Sequence, residues 1–225
     1  SMPEALGIAG VALVCGIVLA IVYRRVKVFD DARIDTVERL AALLSTDMPP
    51  DAAFHVELDM RRPDHRDKLD HEGTAGKWKV KFYIDAWLLL GGRLLDGTGF
   101  QLRLATHFQA RSRTQRSSSG KSKTKRKTKQ SARAQLKLKV KPERFSHLAR
   151  LADGAEKELQ LPPTVAVRSL EIAADSLSLS VDVPGEVTSK ATAPHQLAAM
   201  MFLSLYRVLN LSRTIDKSQP PGGNA

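Results

Sequence analysis

The sequence predicts an α+β protein: an N-terminal single transmembrane helix followed by a mainly antiparallel sheet domain with flanking helices. Three observations carry that expectation. An uncharged apolar run extends from Leu6 to Tyr23. Several later segments alternate apolar and polar residues with the period of a half-buried strand, and two others repeat apolar residues at three-and-four spacing. Strands joined by turns, with helices at both ends and once between, suit one antiparallel domain and not a series of βαβ units.

The apolar run reads LGIAGVALVCGIVLAIVY. As a helix it would reach roughly 27 Å, close to the hydrocarbon thickness of a bilayer. A cleaved signal peptide would begin with basic residues and end at small ones. Here Ser1-Met2-Pro3-Glu4 precedes the run and Arg24 and Arg25 follow it, so an uncleaved anchor is expected. Because Arg24, Arg25 and Lys27 lie only behind the span, the N-terminus is expected outside and the C-terminal domain in the cytoplasm. Ala12, Gly16 and Ala20 recur on one helix face, as small residues do where membrane helices pack. Cys15 is the one cysteine, so no disulfide forms within this chain. The composition, rich in Ala, Leu and Arg, suits a bacterial chain, and the anchor is then expected in the inner membrane.

The expected layout is a short tail at 1–5, the anchor at 6–23, a juxtamembrane segment with an amphipathic helix at 24–50, an α+β domain at 51–215, and a disordered tail at 216–225. In the helix Asp30 to Ser45, Ile34, Val37, Leu40, Ala41 and Leu44 form the apolar stripe, and Met48-Pro49-Pro50 ends it. Phe54, Val56 and Leu58 alternate as a strand. Trp78, Val80, Phe82 and Ile84 alternate with Lys77, Lys79, Lys81, Tyr83 and Asp85 as a longer one. Gly91-Gly92 suggests a bulge within the apolar stretch Trp87 to Leu95. Asp96-Gly97-Thr98-Gly99 has turn chemistry and leads into a return strand through Phe100, Leu102, Leu104 and Thr106. Leu136, Leu138 and Val140 mark the next strand, Arg144 to Leu159 a helix broken near Gly154, and Val165 to Val183 a strand pair around Ala174-Asp175-Ser176. Pro194 opens a last helix to Arg213, with Leu197, Met201, Leu205 and Val208 on one face. Arg207 interrupts its apolar surface, which favours a buried helix over a second span.

Charge is concentrated in one place. The net charge of the chain is +11, yet Arg111 to Arg144 holds fourteen Lys or Arg and the single acid Glu143, so everything outside that segment sums to −2. Its central part lacks apolar side chains and is expected as a mobile loop, 111–133, between two strands. The expected anion contacts are Arg111, Arg113, Arg116, Lys121, Lys123, Lys125, Arg126, Lys127, Lys129 and Arg133. Beside a bilayer, anionic lipid headgroups are the nearest polyanion. Nucleic acid is the second candidate, since phosphate neutralisation serves both. No aromatic residue falls between Gln109 and Arg144, so a base-stacking platform is not expected within it. The plainest reading is a solvated hairpin connection whose lysines keep strand edges from pairing. Nine Ser and Thr lie between Ser112 and Ser131, where phosphorylation would cancel cations.

Other chemistry is poorly represented. Ser119-Gly120-Lys121-Ser122 resembles the end of a phosphate-binding loop, but Gln115 occupies the first glycine position. His55, Asp59, Asp64, His65, Asp67, Asp70, His71 and Glu72 are metal-capable types, but cations interleave with them and no ligand spacing emerges. No catalytic residue, metal or cofactor is assigned. The functional expectation is a non-enzymatic single-pass membrane protein. Its cytoplasmic domain would bind a protein partner or its own copy, and its basic loop would touch anionic lipid. The alternatives are a membrane-anchored enzyme with a site near His55–Glu72, or a sequence-nonspecific nucleic-acid-binding protein.

Overall fold

The computed structural model describes residues 31–116, 120–145, 147–151, 154–185 and 193–218. The chain divides into two compact units, 1–35 and 36–225. Of the first, only 31–35 is described, as the opening turn of helix α1 (Asp31–Ser45). The expected tail 1–5, the anchor 6–23 and its packing residues Ala12, Gly16 and Ala20 lie outside the described residues. Among the described residues, no helix is long and apolar enough to cross a membrane.

The second unit is a seven-stranded, wholly antiparallel sheet with helices, an α+β arrangement. Its strands are β1 (His55–Leu58), β2 (Leu69–Ala75), β3 (Trp78–Arg93), β4 (Gly99–Arg116), β5 (Ser122–Lys139), β6 (Ala166–Ile172) and β7 (Ser176–Val183). The order across the sheet is β1-β3-β4-β5-β7-β6, and β2 pairs with the far half of β3. Helix α2 (Pro194–Ser218) contributes Leu197, Met201, Leu205 and Val208 to the core, the face its spacing predicts. From α1, Leu40 and Leu44 join them, against Leu88, Leu90, Leu102, Leu136, Leu138, Leu177 and Leu179 of the sheet. Burying one such side chain contributes about 1.5–3 kcal/mol.

Four expectations change. The loop expected at 111–133 is replaced by strands: β4 runs to Arg116, β5 starts at Ser122, and they pair in unbroken register from Gly99↔Lys139 to Arg116↔Ser122. The ladder there rests on backbone hydrogen bonds and on alternation, which Lys-Ser-Lys-Thr-Lys satisfies without any apolar residue. Second, the bulge lies at Trp87, where the β3–β4 register shifts between Ala86 and Leu88, while Gly91 and Gly92 pair regularly with Gln101 and Phe100. Gly92 is needed for packing instead, because a Cβ there would stand 2.9 Å from Met48 Cε and from Phe100 Cε1. Third, the helix expected over Arg144–Leu159 is a set of short 3₁₀ turns. Gly154, at φ +101°, takes a left-handed conformation that a helix cannot continue through. Fourth, α2 continues to Ser218, three residues into the expected tail, whose remainder, 219–225, lies outside the described residues.

The bulge matters most. One extra residue turns the following alternation to the other face of a sheet. Val80, Phe82 and Ile84 register against Arg111, Gln109 and His107, and so stand on the face opposite Leu88 and Leu90. Asp85 accordingly lies on the core side and is fully buried.

Candidate anion-binding sheet face

Residues directly opposite one another in an antiparallel ladder share a face. Strands β4 and β5 pair odd number with odd number along their whole length. The face turned from the core therefore carries Arg111 and Arg113 from β4 beside Lys127 and Lys125, with Lys123 and Lys129 at either side. Further along stand Arg133, Lys137 and Lys139 from β5, and Arg103 from β4. No Asp or Glu occurs anywhere from Gly99 to Lys139. The stripe extends about 55 Å at the usual rise per strand residue, with alternate side chains about 6.8 Å apart.

Of the ten expected anion contacts, the structure brings seven onto this face. Arg126 and Arg116 point to the other side, opposite Ser112 and Ser122, and Lys121 sits in the connection between the strands. That second side of the ribbon holds Ser and Thr, with Thr114 and Thr124 hydrogen-bonded at 3.0 Å. Arg133 is engaged: its guanidinium donates to Asp182 at 2.7 Å and 3.2 Å. Burial opposes ionisation of Asp182, but the Arg133 hydrogen bond and the charges of Arg133 and Arg168 hold its pKa below the ordinary range. Lys123, Lys125, Lys127 and Lys129 are exposed and have no ion-pair partner among the described residues.

Aromatic residues reach this face from neighbouring strands. The Trp78 ring lies 5.3 Å from the Arg113 guanidinium and 5.8 Å from Lys127 Nζ, both cation–π distances. Phe82 stacks on His71 of β2, with ring centroids 4.2 Å apart and planes at 17°. The sequence expectation weighed only aromatics within the basic segment. It overlooked Trp78 and Phe82 because cross-strand neighbours are distant in sequence. A readable signal was present in Lys121-Ser-Lys-Thr-Lys125, whose period of two is that of a strand.

Beside Phe82 a groove of about 430 Å³ crosses the strands. Phe82, Gln109 and Lys129 form one row of side chains, and Ile84, His107 and Ser131 the next. Ile84 is 42 % exposed, although large and apolar. Nε2 of His107 is buried and has no hydrogen-bond partner among the described residues. Burial, followed by the charge of Arg133, pulls the His107 pKa down, with Asp182 and Asp70 opposing.

The His55–Glu72 stretch does something else. Asp59 accepts from Arg61 and lies 3.2 Å from Lys68 Nζ, Asp67 pairs with Arg61, Asp70 with His71, and Glu72 with Lys81. The Arg61 hydrogen bond, against the effect of burial, holds Asp59 far below the usual carboxylate range. Glu72–Lys81 ties β2 to β3, and the Asp59 and Asp67 pairs tie the 3₁₀ turn Arg66–Lys68 to the segment before it. A second groove, about 410 Å³, lies elsewhere among Leu43, Leu95, Leu203 and Tyr206.

Fold and face together define an antiparallel α+β domain with one cationic sheet surface. Comparison with protein-family models, curated proteins and solved structures finds no match to this chain.

Proposed function

We propose that this is a non-enzymatic binding protein that applies the outer face of β4–β5 to closely spaced phosphates. The observation that carries this reading is the segregation of cations: lysines at alternate positions of β5 face one way, unopposed by any acid on either strand. Charge spread along about 55 Å suits a repeating anion, whereas catalysis needs groups converging on one reacting centre. Each neutralised phosphate releases counterions, so affinity accumulates along the stripe and falls with salt. The apolar run Leu6–Tyr23 and the cations behind it support a membrane tether, with the domain on the cytoplasmic side. Headgroup phosphates and nucleic-acid phosphates offer this face the same chemistry.

The test uses the full chain in neutral detergent and inorganic polyphosphate, which has neither acyl chains nor bases. Binding that weakens steeply with salt, and that is lost when Lys123, Lys125, Lys127 and Lys129 are changed to Gln, is the expected result. Equal binding by the fourfold variant would overturn the reading.

A further inference from the structure

We infer that the groove beside Phe82 receives an unpaired base, and that the polyanion on the surrounding stripe is a single-stranded nucleic acid. This rests on the phosphate-binding reading above and names its partner. The cavity, about 430 Å³, is within the size range of small-ligand sites. Its walls differ in character along their length. At the β2–β3 end the stacked His71–Phe82 pair and the exposed Ile84 offer an aromatic and apolar surface. Over β4 and β5 come His107, Gln109 and Ser131, and then the ammonium of Lys129.

Those groups match the parts of one nucleotide. A base has an apolar π-face for Phe82 and a polar edge for hydrogen bonds. Gln109 uses its amide oxygen for Nε of Arg111 at 3.0 Å, which leaves its amide nitrogen to donate to that edge. The phosphate would fall on Lys129. The stripe then continues past both sides of the groove, to Lys127 in one direction and Arg133 in the other. A free mononucleotide would leave Lys127, Lys125 and Lys123 unused, whereas a strand supplies further phosphates at each.

The same features argue against other phosphate sources. In a duplex the base faces are stacked on one another and do not reach such a wall; single strands present them. A bilayer surface offers phosphates but no planar ring. Sheets also twist, two-stranded ribbons most of all, so a long stripe turns away from a plane, while a flexible strand can follow it.

The experiment titrates the full chain, in neutral detergent at physiological salt, with a labelled oligo(dT) and with an abasic oligomer carrying the same number of phosphates. Anisotropy is read, and anionic vesicles are added as competitor in a separate arm. Base–aromatic stacking predicts that oligo(dT) binds about tenfold tighter or more. Phe82→Leu, which keeps apolar volume, and Gln109→Ala, a change remote from the core, should each shrink that ratio toward one. Equal affinity for the two oligomers would overturn the base groove and leave phosphate binding standing. Binding of neither would overturn the phosphate reading itself. Displacement of oligo(dT) by vesicles at equal phosphate concentration would overturn the nucleic-acid assignment in favour of lipid.

Discussion

Nζ of Lys68 lies 2.6 Å from Oδ1 of Asp85, and both residues are buried, at 8 % and 0 % exposure. The same ammonium donates to the carbonyl of Arg61 at 2.9 Å and sits 3.2 Å from Asp59. The pair follows from the bulge at Trp87. By rotating the alternation, it places Asp85 on the core side of the sheet, where an unpaired carboxylate would be strongly disfavoured.

Removing one partner should therefore be much worse than removing both. Asp85→Ala takes the closest partner from the buried Lys68 ammonium, leaving it the Arg61 carbonyl and the more distant Asp59, and should destabilise the fold by about 3–5 kcal/mol. The double change Lys68→Met with Asp85→Leu should recover most of that loss. Denaturant unfolding of the two variants checks it; a double variant as weak as the single would show that the ion pair is not the cause.

Gly92 tests the packing reason for a glycine in a regular strand. Its Cβ position lies 2.9 Å from Met48 Cε, a flexible chain end, and equally close to the less mobile Phe100 ring. Gly92→Ala should cost about 1–3 kcal/mol through overpacking. Gly91→Ala should cost less, since its nearest neighbour, the Phe100 carbonyl oxygen, is 3.6 Å away. Thermal unfolding of the pair distinguishes packing from intrinsic strand preference, which would affect both alike.

Much of this fold was legible because apolar periodicity reports burial directly. Leu40, Leu44, Leu136, Leu138, Leu177 and the Leu197–Val208 stripe are buried where their spacing put them. What was not legible depended on pairings distant in sequence. Alternation at Val80, Phe82 and Ile84 gave a strand correctly, but its facing depended on the single inserted residue at Trp87, and Gly91-Gly92 drew attention away from it. The hairpin of β4 and β5 was hidden for a different reason. Its outer half has no apolar residues, so hydrophobicity said nothing, although Lys and Thr alternated with a strand's period. Seven of ten expected contacts share a face because that alternation is real; Arg116 and Arg126 fall on the other side by parity alone.

The groove should respond to pH through His107. Its pKa is depressed below the ordinary value of 6.5 by burial and by Arg133, so the unfolded chain binds a proton more readily than the native one. Stability should then fall as pH drops through 6.5, levelling off below the native pKa, and be flat above. Asp182, which opposes that depression, is itself held below the ordinary carboxylate range and so does not titrate in that window. Unfolding free energies between pH 5 and 8 should show the decline in the wild type and its attenuation in His107→Gln. A slope of opposite sign would mean that the carboxylates, not burial, dominate the ring.

Charge removal at equal dose should have unequal consequences on the two faces of the ribbon. Lys125 and Lys127 stand on the outer face, opposite Arg113 and Arg111. Arg116 and Arg126 stand on the Ser/Thr side. For a single-stranded partner, the logarithm of affinity falls with the logarithm of salt at about 0.7 per neutralised phosphate. Lys125→Gln with Lys127→Gln should thus reduce the salt slope by about 1.4. Arg116→Gln with Arg126→Gln lowers net charge just as much, yet should leave the slope nearly unchanged. Oligo(dT) titrations of the full chain across a salt series measure both. If the two double variants lost the same slope, net charge alone would account for binding, and the one-sided arrangement of lysines would have no part in it.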